Sequence, residues 1–312
     1  MFIVLVINAL MGATFSIVKL ILENYTDPLF LVGYRMTLAG LLLLGYLFCF
    51  QRAELKIYKQ DWVSFVKIIL FHVYISYICE FWGQQYLTPA KVALLFNLTP
   101  FITAAFSYLM YRQTQTAKKL AGLIIGFVGF FPILFAHNPT ENVLGGFFFF
   151  SAPEISLFIA VASASYAWLI VEHLVVKRHY STLMVNGFAM LCGGIMATMT
   201  SFVVGNCGEQ LGLSGFARAW QPWPFNDFGT LTLWILLLIV FSNVIYYNVY
   251  AWLMHRYSPT FLSFSGLTTP LFAAMWEWLI FGTVIAWPFW LSLTIISFGL
   301  ALYYQEEMRL GK

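Results

Sequence analysis

Hydrophobic positions gather into long uninterrupted runs, and ten of these are long enough to cross a bilayer core, which takes about 20 apolar residues per helix. They cover approximately 2–22, 28–49, 62–86, 89–111, 117–136, 152–174, 182–204, 230–254, 259–281 and 287–304. Polar residues punctuate the starts. Asp27-Pro28, Thr88-Pro89 and Ser258-Pro259 each place a side-chain acceptor at the N-cap and proline at the first helical position. Ser151-Ala152-Pro153-Glu154 reads as a capping box, which gives Glu154 a structural role. The first run lacks a basic leading region and a clean cleavage site, so it is expected to remain as a helix.

The same pattern is written twice. At a separation of 170, Thr88-Pro89 returns as Ser258-Pro259, Pro100 as Pro270, Ala104 as Ala274, Tyr77 as Tyr247, Trp82 as Trp252 and Gly129 as Gly299. At 154, Gly33, Met36 and Gly40 return as Gly187, Met190 and Gly194. The long segment 205–229 accounts for the step between the two offsets. An internal repeat among membrane-spanning runs predicts a secondary transporter, with a substrate site where the halves meet. The expected organisation is a first repeat over 1–136, a second over 150–304 and a cytoplasmic tail over 305–312.

Composition agrees with lipid as the solvent. Of 312 residues, 61% are hydrophobic and only 9% charged, more apolar surface than a water-soluble chain of this length can bury. The placement of lysine and arginine then sets orientation. With a cytoplasmic amino terminus, the inside segments hold Arg52, Lys56, Lys59, Arg112, Lys118, Lys119, Lys177, Arg178, Arg256, Arg309 and Lys312, and the outside loops only Lys91 and Arg218. Five spans per repeat is an odd number, so the second copy enters from the opposite side. The expected fold is therefore all-α and integral to the membrane, ten transmembrane helices in two inverted five-helix repeats. Both termini face the cytoplasm of a cell inner membrane.

The chain resembles the ten-helix EamA-type exporters of the drug/metabolite transporter superfamily. The residues that carry the likeness are Asn8-Ala9-Leu10-Met11-Gly12-Ala13-Thr14-Phe15 with Lys19, Val32-Gly33-Tyr34-Arg35, Thr88-Pro89-Ala90-Lys91-Val92, and Gly126, Gly129 and Gly299. The likeness spans nearly the whole chain, and its motifs are structural rather than substrate-specific. It implies alternating access and, in direction, export. Tyr111-Arg112-Gln113-Thr114 stands where the family usually has a Gly-Glu pair, and the 205–229 loop is long for it.

Candidate chemistry lies on two polar stripes. Asn243, Tyr246, Tyr247 and Tyr250 fall at i, i+3, i+4 and i+7 on the eighth span. Subtracting 170 gives Val73, Ser76, Tyr77 and Glu80 on the third, extended by Gln84. Polar groups facing lipid are costly, so such stripes either line a cavity or make interhelical hydrogen bonds. Glu80 lies roughly 9 Å from its helix end at 1.5 Å per residue. It is read either as a proton-coupling or amine-recognition group, or as the structural partner of Arg35. His72 is a candidate proton relay or a hydrogen-bonded structural residue, and Asn97 and Trp168 are further candidate substrate contacts. Lys19, Lys91 and Glu277 lie near helix ends, where snorkelling is expected to keep them hydrated.

No catalytic motif, no metal-ligand pattern and no phosphate-cradling loop is present, so neither a cofactor nor ATP is expected. No basic, aromatic-interleaved surface supports nucleic-acid binding. The expected partners are a small-molecule substrate, the lipid bilayer and protons as coupling ion; oligomeric state is not legible. The reading is secondary active transport of a small amphiphilic metabolite, an amino acid or related amine. Two alternatives stand beside it: an uptake or exchange carrier for a nucleotide-like cofactor, and an intramembrane lipid-modifying enzyme.

Overall fold

The structure is a computed structural model, and the residues described are 2–111, 116–135, 146–147, 150–207, 227–246, 249, 253 and 265–309. Nearly all of them are helical. The first two runs form α1 (Phe2–Asn24) and α2 (Pro28–Phe50). Asp27 caps α2 as its sequence predicts, its carboxylate accepting the Phe30 N–H at 2.8 Å. Burial pushes the Asp27 carboxyl up, against the pull of the Phe30 N–H contact. The third span is α3 (Trp62–Ile68), a π-helical stretch Ile69–Ile75, and α4 (Ser76–Gln84). The fourth breaks into α5 (Pro89–Phe96) and α6 (Thr99–Tyr111), and the fifth into α7 (Ala117–Val128) and α8 (Phe131–Phe135).

A short antiparallel pair, β1 (Gly146–Phe147) with β2 (Phe150–Ser151), precedes α9 (Ala152–Glu172). That helix continues as a π turn over His173–Lys177, followed by α10 (Thr182–Cys207). Next come α11 (Phe228–Leu238), running into a π stretch Ile239–Tyr246, a 3₁₀ turn Gly266–Thr268, α12 (Thr269–Phe281) and α13 (Trp287–Arg309). Seven spans among the described residues are long and apolar enough to cross a membrane. Of the other three expected runs, the fourth is interrupted at Asn97-Leu98, and the eighth and ninth extend outside the described residues. Exposed Leu41, Leu42, Met199, Phe202, Trp278 and Trp290 are apolar surface suited to acyl chains.

The chain divides into two compact units. One comprises Leu20–Gln85 and Ile159–Ile239. Within it α2 and α10 pack antiparallel at small residues: Gly33 against Thr198, Gly194 against Thr37, Gly40 against Leu191 and Gly187 against Leu44. Membrane helices have no hydrophobic force drawing them together, so close backbone approach over small residues supplies the packing. The third span lies on the same helix, with Val73 against Gly193 and the hydroxyls of Tyr74 and Thr200 2.6 Å apart. At one end, buried Asp61 takes the Tyr180 hydroxyl at 3.0 Å and Arg178 at 3.2 Å.

The other unit comprises Met1–Lys19, Tyr86–Phe158 and Val240–Lys312. Within it α7–α8 and α13 also cross antiparallel: Gly122 meets Tyr303, Gly126 meets Gly299, Gly129 meets Ile296, and the Ser292 hydroxyl accepts the Ile133 N–H at 3.0 Å. A Cβ on Gly299 would sit 2.6 Å from Gly126 Cα and 2.7 Å from the Gly122 carbonyl, both backbone atoms that cannot turn aside. Gly299→Val should therefore force the helices apart and lower stability by at least about 1–3 kcal/mol. Gly45→Ala, with nothing within 4 Å of the new methyl, should leave stability unchanged or raise it. Thermal unfolding of the two detergent-purified variants checks the contrast.

Candidate functional site

The first unit gathers charge and aromatic surface around the π stretch of the third span. A π turn is wider than an α turn, recurs at functional sites, and redirects the side chains that follow it. Here it leads into α4, around which six side chains gather. The Arg35 guanidinium carbon, on α2, lies 5.9 Å from the Tyr77 ring and 5.8 Å from the Phe81 ring. Tyr77 and Phe81 meet edge to face at 5.8 Å. The His72 ring stands 5.0 Å from Trp168 and 6.5 Å from Tyr77. Glu80 is 9% exposed and lies on α4 three residues beyond Tyr77.

So His72, Tyr77, Glu80 and Trp168 cluster in this unit together with Arg35. Phe81 joins them, and the sequence pattern does not single it out, because a phenylalanine in an apolar run carries no polar signal. Trp168 is 38% exposed and presents open surface. Gln84 is fully buried one turn beyond Glu80. Ser76 is buried as well, its hydroxyl donating to the Ala160 carbonyl at 3.1 Å, a bond between helices.

The second stripe belongs to the other unit. Asn243 is buried and its Oδ1 accepts from Ser242 at 2.8 Å, while Tyr246 packs on Val4, Ile7 and Leu253. Both lie inside the π stretch Ile239–Tyr246, so the α-helical spacing expected of them does not hold there. Tyr247 and Tyr250 lie outside the described residues. The two π stretches begin at Ile69 and Ile239, 170 positions apart. Asn97 sits in this unit too, at the C-terminal cap of α5.

Snorkelling does not describe the charged residues near helix ends. Lys91 and Glu154 form an ion pair at 2.7 Å with 2% and 0% of their side chains exposed. The other Glu154 oxygen takes the Ser151 N–H at 2.7 Å, the glutamate half of the expected capping box. Glu277, also buried, accepts the Ala90 N–H at 2.8 Å, and Lys19 is buried as well. Lys91, on the first turn of α5, meets a carboxylate of α9 before it meets water. No window of sequence could show that, because the partner belongs to another span. Among the described residues no group of His, Cys, Asp and Glu is arranged to hold a metal ion.

A solved crystal structure superposes on 99% of this chain and 98% of its own with a TM-score of 0.63 at 15% identity, a likeness of fold. A protein of Chlamydia muridarum named S-adenosylmethionine/S-adenosylhomocysteine transporter is 32% identical over 91% of this chain and 85% of its own. Its namesake in Chlamydia trachomatis serovar L2 is 30% identical over 96% and 87%. An Escherichia coli K12 protein named uncharacterized inner membrane transporter YedA is 22% identical over 93% and 86%. The model of the EamA-like transporter family matches residues 1–135 and again 152–305. The chain is thus an integral membrane protein of several apolar helices and belongs to the EamA-like transporter family.

Proposed function

We propose that this protein is a secondary carrier for an adenosyl amino acid of the S-adenosylmethionine class, exchanging it across the inner membrane. The observation that carries the cargo is the 32% identity over 91% of the chain to a relative named for S-adenosylmethionine and S-adenosylhomocysteine. Such a cargo is both an amino acid and a nucleotide-like cofactor, so it joins the two cargo classes that the sequence raised. The cluster in the first unit suits its charged end. On this reading Glu80 meets a sulfonium or ammonium, Arg35 a carboxylate, and the exposed Trp168 ring a cation over its face.

The ten-span inverted-repeat arrangement, with both termini cytoplasmic, belongs to the same proposal. Its support is reciprocity inside each unit. Under the offset of 154, Gly40 on Leu191 becomes Gly194 on Thr37, and Gly33 on Thr198 becomes Gly187 on Leu44. Under 170, Gly126 on Gly299 becomes Ile296 on Gly129, and Gly122 with Tyr303 becomes Ser292 with Ile133. Contacts that exchange partners in this way are what a two-fold axis produces, and antiparallel crossing puts that axis in the membrane plane.

The test is counterflow. Proteoliposomes preloaded with unlabelled S-adenosylhomocysteine should accumulate labelled S-adenosylmethionine above the level of empty vesicles, with both molecules recovered unchanged. Equal uptake with and without preloading overturns the carrier reading for this cargo. Chemical conversion of lipid or cargo favours an enzyme instead.

A further inference from the structure

The fourth span is not one helix, and its break is built differently from its counterpart. α5 stops at Phe96, whose carbonyl accepts the Thr99 hydroxyl at 2.7 Å, and α6 starts at Thr99 with Pro100 next. Asn97 and Leu98 turn out of the helix between them. One repeat later the 3₁₀ turn Gly266–Thr268 leads into Thr269-Pro270 of α12. There Asn8 of α1 fills the irregularity, donating its Nδ2 to the Ser265 carbonyl at 2.7 Å and the Thr268 hydroxyl at 2.9 Å. At the fourth-span break no protein side chain among the described residues does the same. Asn97 Nδ2 is closed off from solvent and meets no acceptor among the described residues.

A buried N–H without an acceptor is unfavourable, and an incoming acceptor returns that free energy. The surroundings limit what the acceptor is attached to. Ala90–Leu95 and Leu98 are buried, whereas Phe96, Asn97, Thr99 and Pro100 keep partial exposure, so an acceptor reaches the enclosed amide from that partly exposed side. The Phe96 ring is held against Phe15, centroids 5.8 Å apart and planes tilted 49°, which fixes an aromatic face beside the carboxamide. A carboxamide matches the edge of adenine, its N–H donating to a ring nitrogen and its C=O accepting from the 6-amino group. An aromatic ring matches the face.

We infer that the break of the fourth span is a purine subsite, with Asn97 reading the edge of an adenine ring and Phe96 stacking on its face. The identity of the purine as part of the cargo rests on the carrier reading above; the subsite itself rests on Asn97, Phe96 and the contrast with Asn8. It assigns Asn8 a structural role and Asn97 a recognition role at equivalent breaks in the two repeats.

Thermal shift with adenosine alone as the probe tests it on the purified full chain. Adenosine should raise the melting temperature of the unmodified protein, and methionine supplies the control fragment. Asn97→Ala should keep its ligand-free melting temperature and bind adenosine about tenfold more weakly, the usual effect of losing one edge contact. Asn97→Asp, which cannot donate, should behave likewise. Asn8→Ala should melt earlier yet keep the adenosine shift. The subsite is wrong if adenosine leaves the unmodified protein unmoved, if Asn97→Ala retains the full shift, or if both Asn97 variants melt early as Asn8→Ala does. An Asn97-dependent adenosine shift without S-adenosylmethionine counterflow keeps the subsite and removes the cargo.

Discussion

Lys91→Met should destabilise the protein by about 3–5 kcal/mol, the usual effect of leaving one member of a buried ion pair without its counter-charge. The Lys91 ammonium is 2% exposed and Glu154 is fully enclosed, so water cannot take over when the partner is removed. Adding Glu154→Gln to Lys91→Met should recover most of the loss. Glutamine keeps an acceptor for the Ser151 N–H, now made at 2.7 Å, while removing the stranded charge. Glu154→Gln alone removes the counter-charge that Lys91 meets at 2.7 Å and should also lower stability. Thermal unfolding of the three variants in detergent decides it. A double variant no more stable than either single one would mean that the pair is not what holds α5 in place.

Glu80→Gln should reduce S-adenosylmethionine counterflow roughly a hundredfold, which corresponds to about 2.7 kcal/mol, within the range for neutralising one partner of a desolvated charge pair. The change is isosteric and keeps the carbonyl oxygen, so the fold should survive. Two other outcomes carry different meanings. Exchange that persists while uptake driven by a pH gradient disappears assigns Glu80 to the coupling proton, because the amide mimics a permanently protonated acid. Loss of folded protein, restored by adding Arg35→Gln, assigns it to holding Arg35. Counterflow, gradient-driven uptake and thermal unfolding on one set of proteoliposomes separate the three.

The chemistry of the Glu80 region is partly legible in the amino-acid string. Glu80, Tyr77 and His72 stand out because polar and titratable side chains are rare in membrane runs. Phe81 and the arrangement of rings about Arg35 do not, since aromatic residues are abundant in such runs and only their mutual placement distinguishes them. The stripe on the eighth span, of which Asn243 and Tyr246 lie among the described residues, depends on the type of helix. Its spacing presupposes a regular α-helix, and a π stretch from Ile239 to Tyr246 changes which side chains share a face.

What the sequence determined by itself is everything that depends on solvent and on local pattern. Runs of apolar residues dictate helices, because lipid offers backbone groups no hydrogen-bond partner outside the helix itself. Short-range chemistry dictates the caps: Asp27 on Phe30 N–H and Glu154 on Ser151 N–H are readable from three-residue spacing. The repeat, too, is a property of the string, and Gly33, Gly40, Gly126 and Gly299 mark where helices approach closely. Only the tertiary structure decided which charges are buried and what they meet. Lys91 reads as a snorkelling lysine until α9 brings Glu154 within 2.7 Å, and the break at Asn97 reads as part of a continuous run. The physical reason is range. Helix and cap energies are settled within one or two turns, whereas the environment of a buried charge or an orphaned amide is set by residues tens to hundreds of positions away.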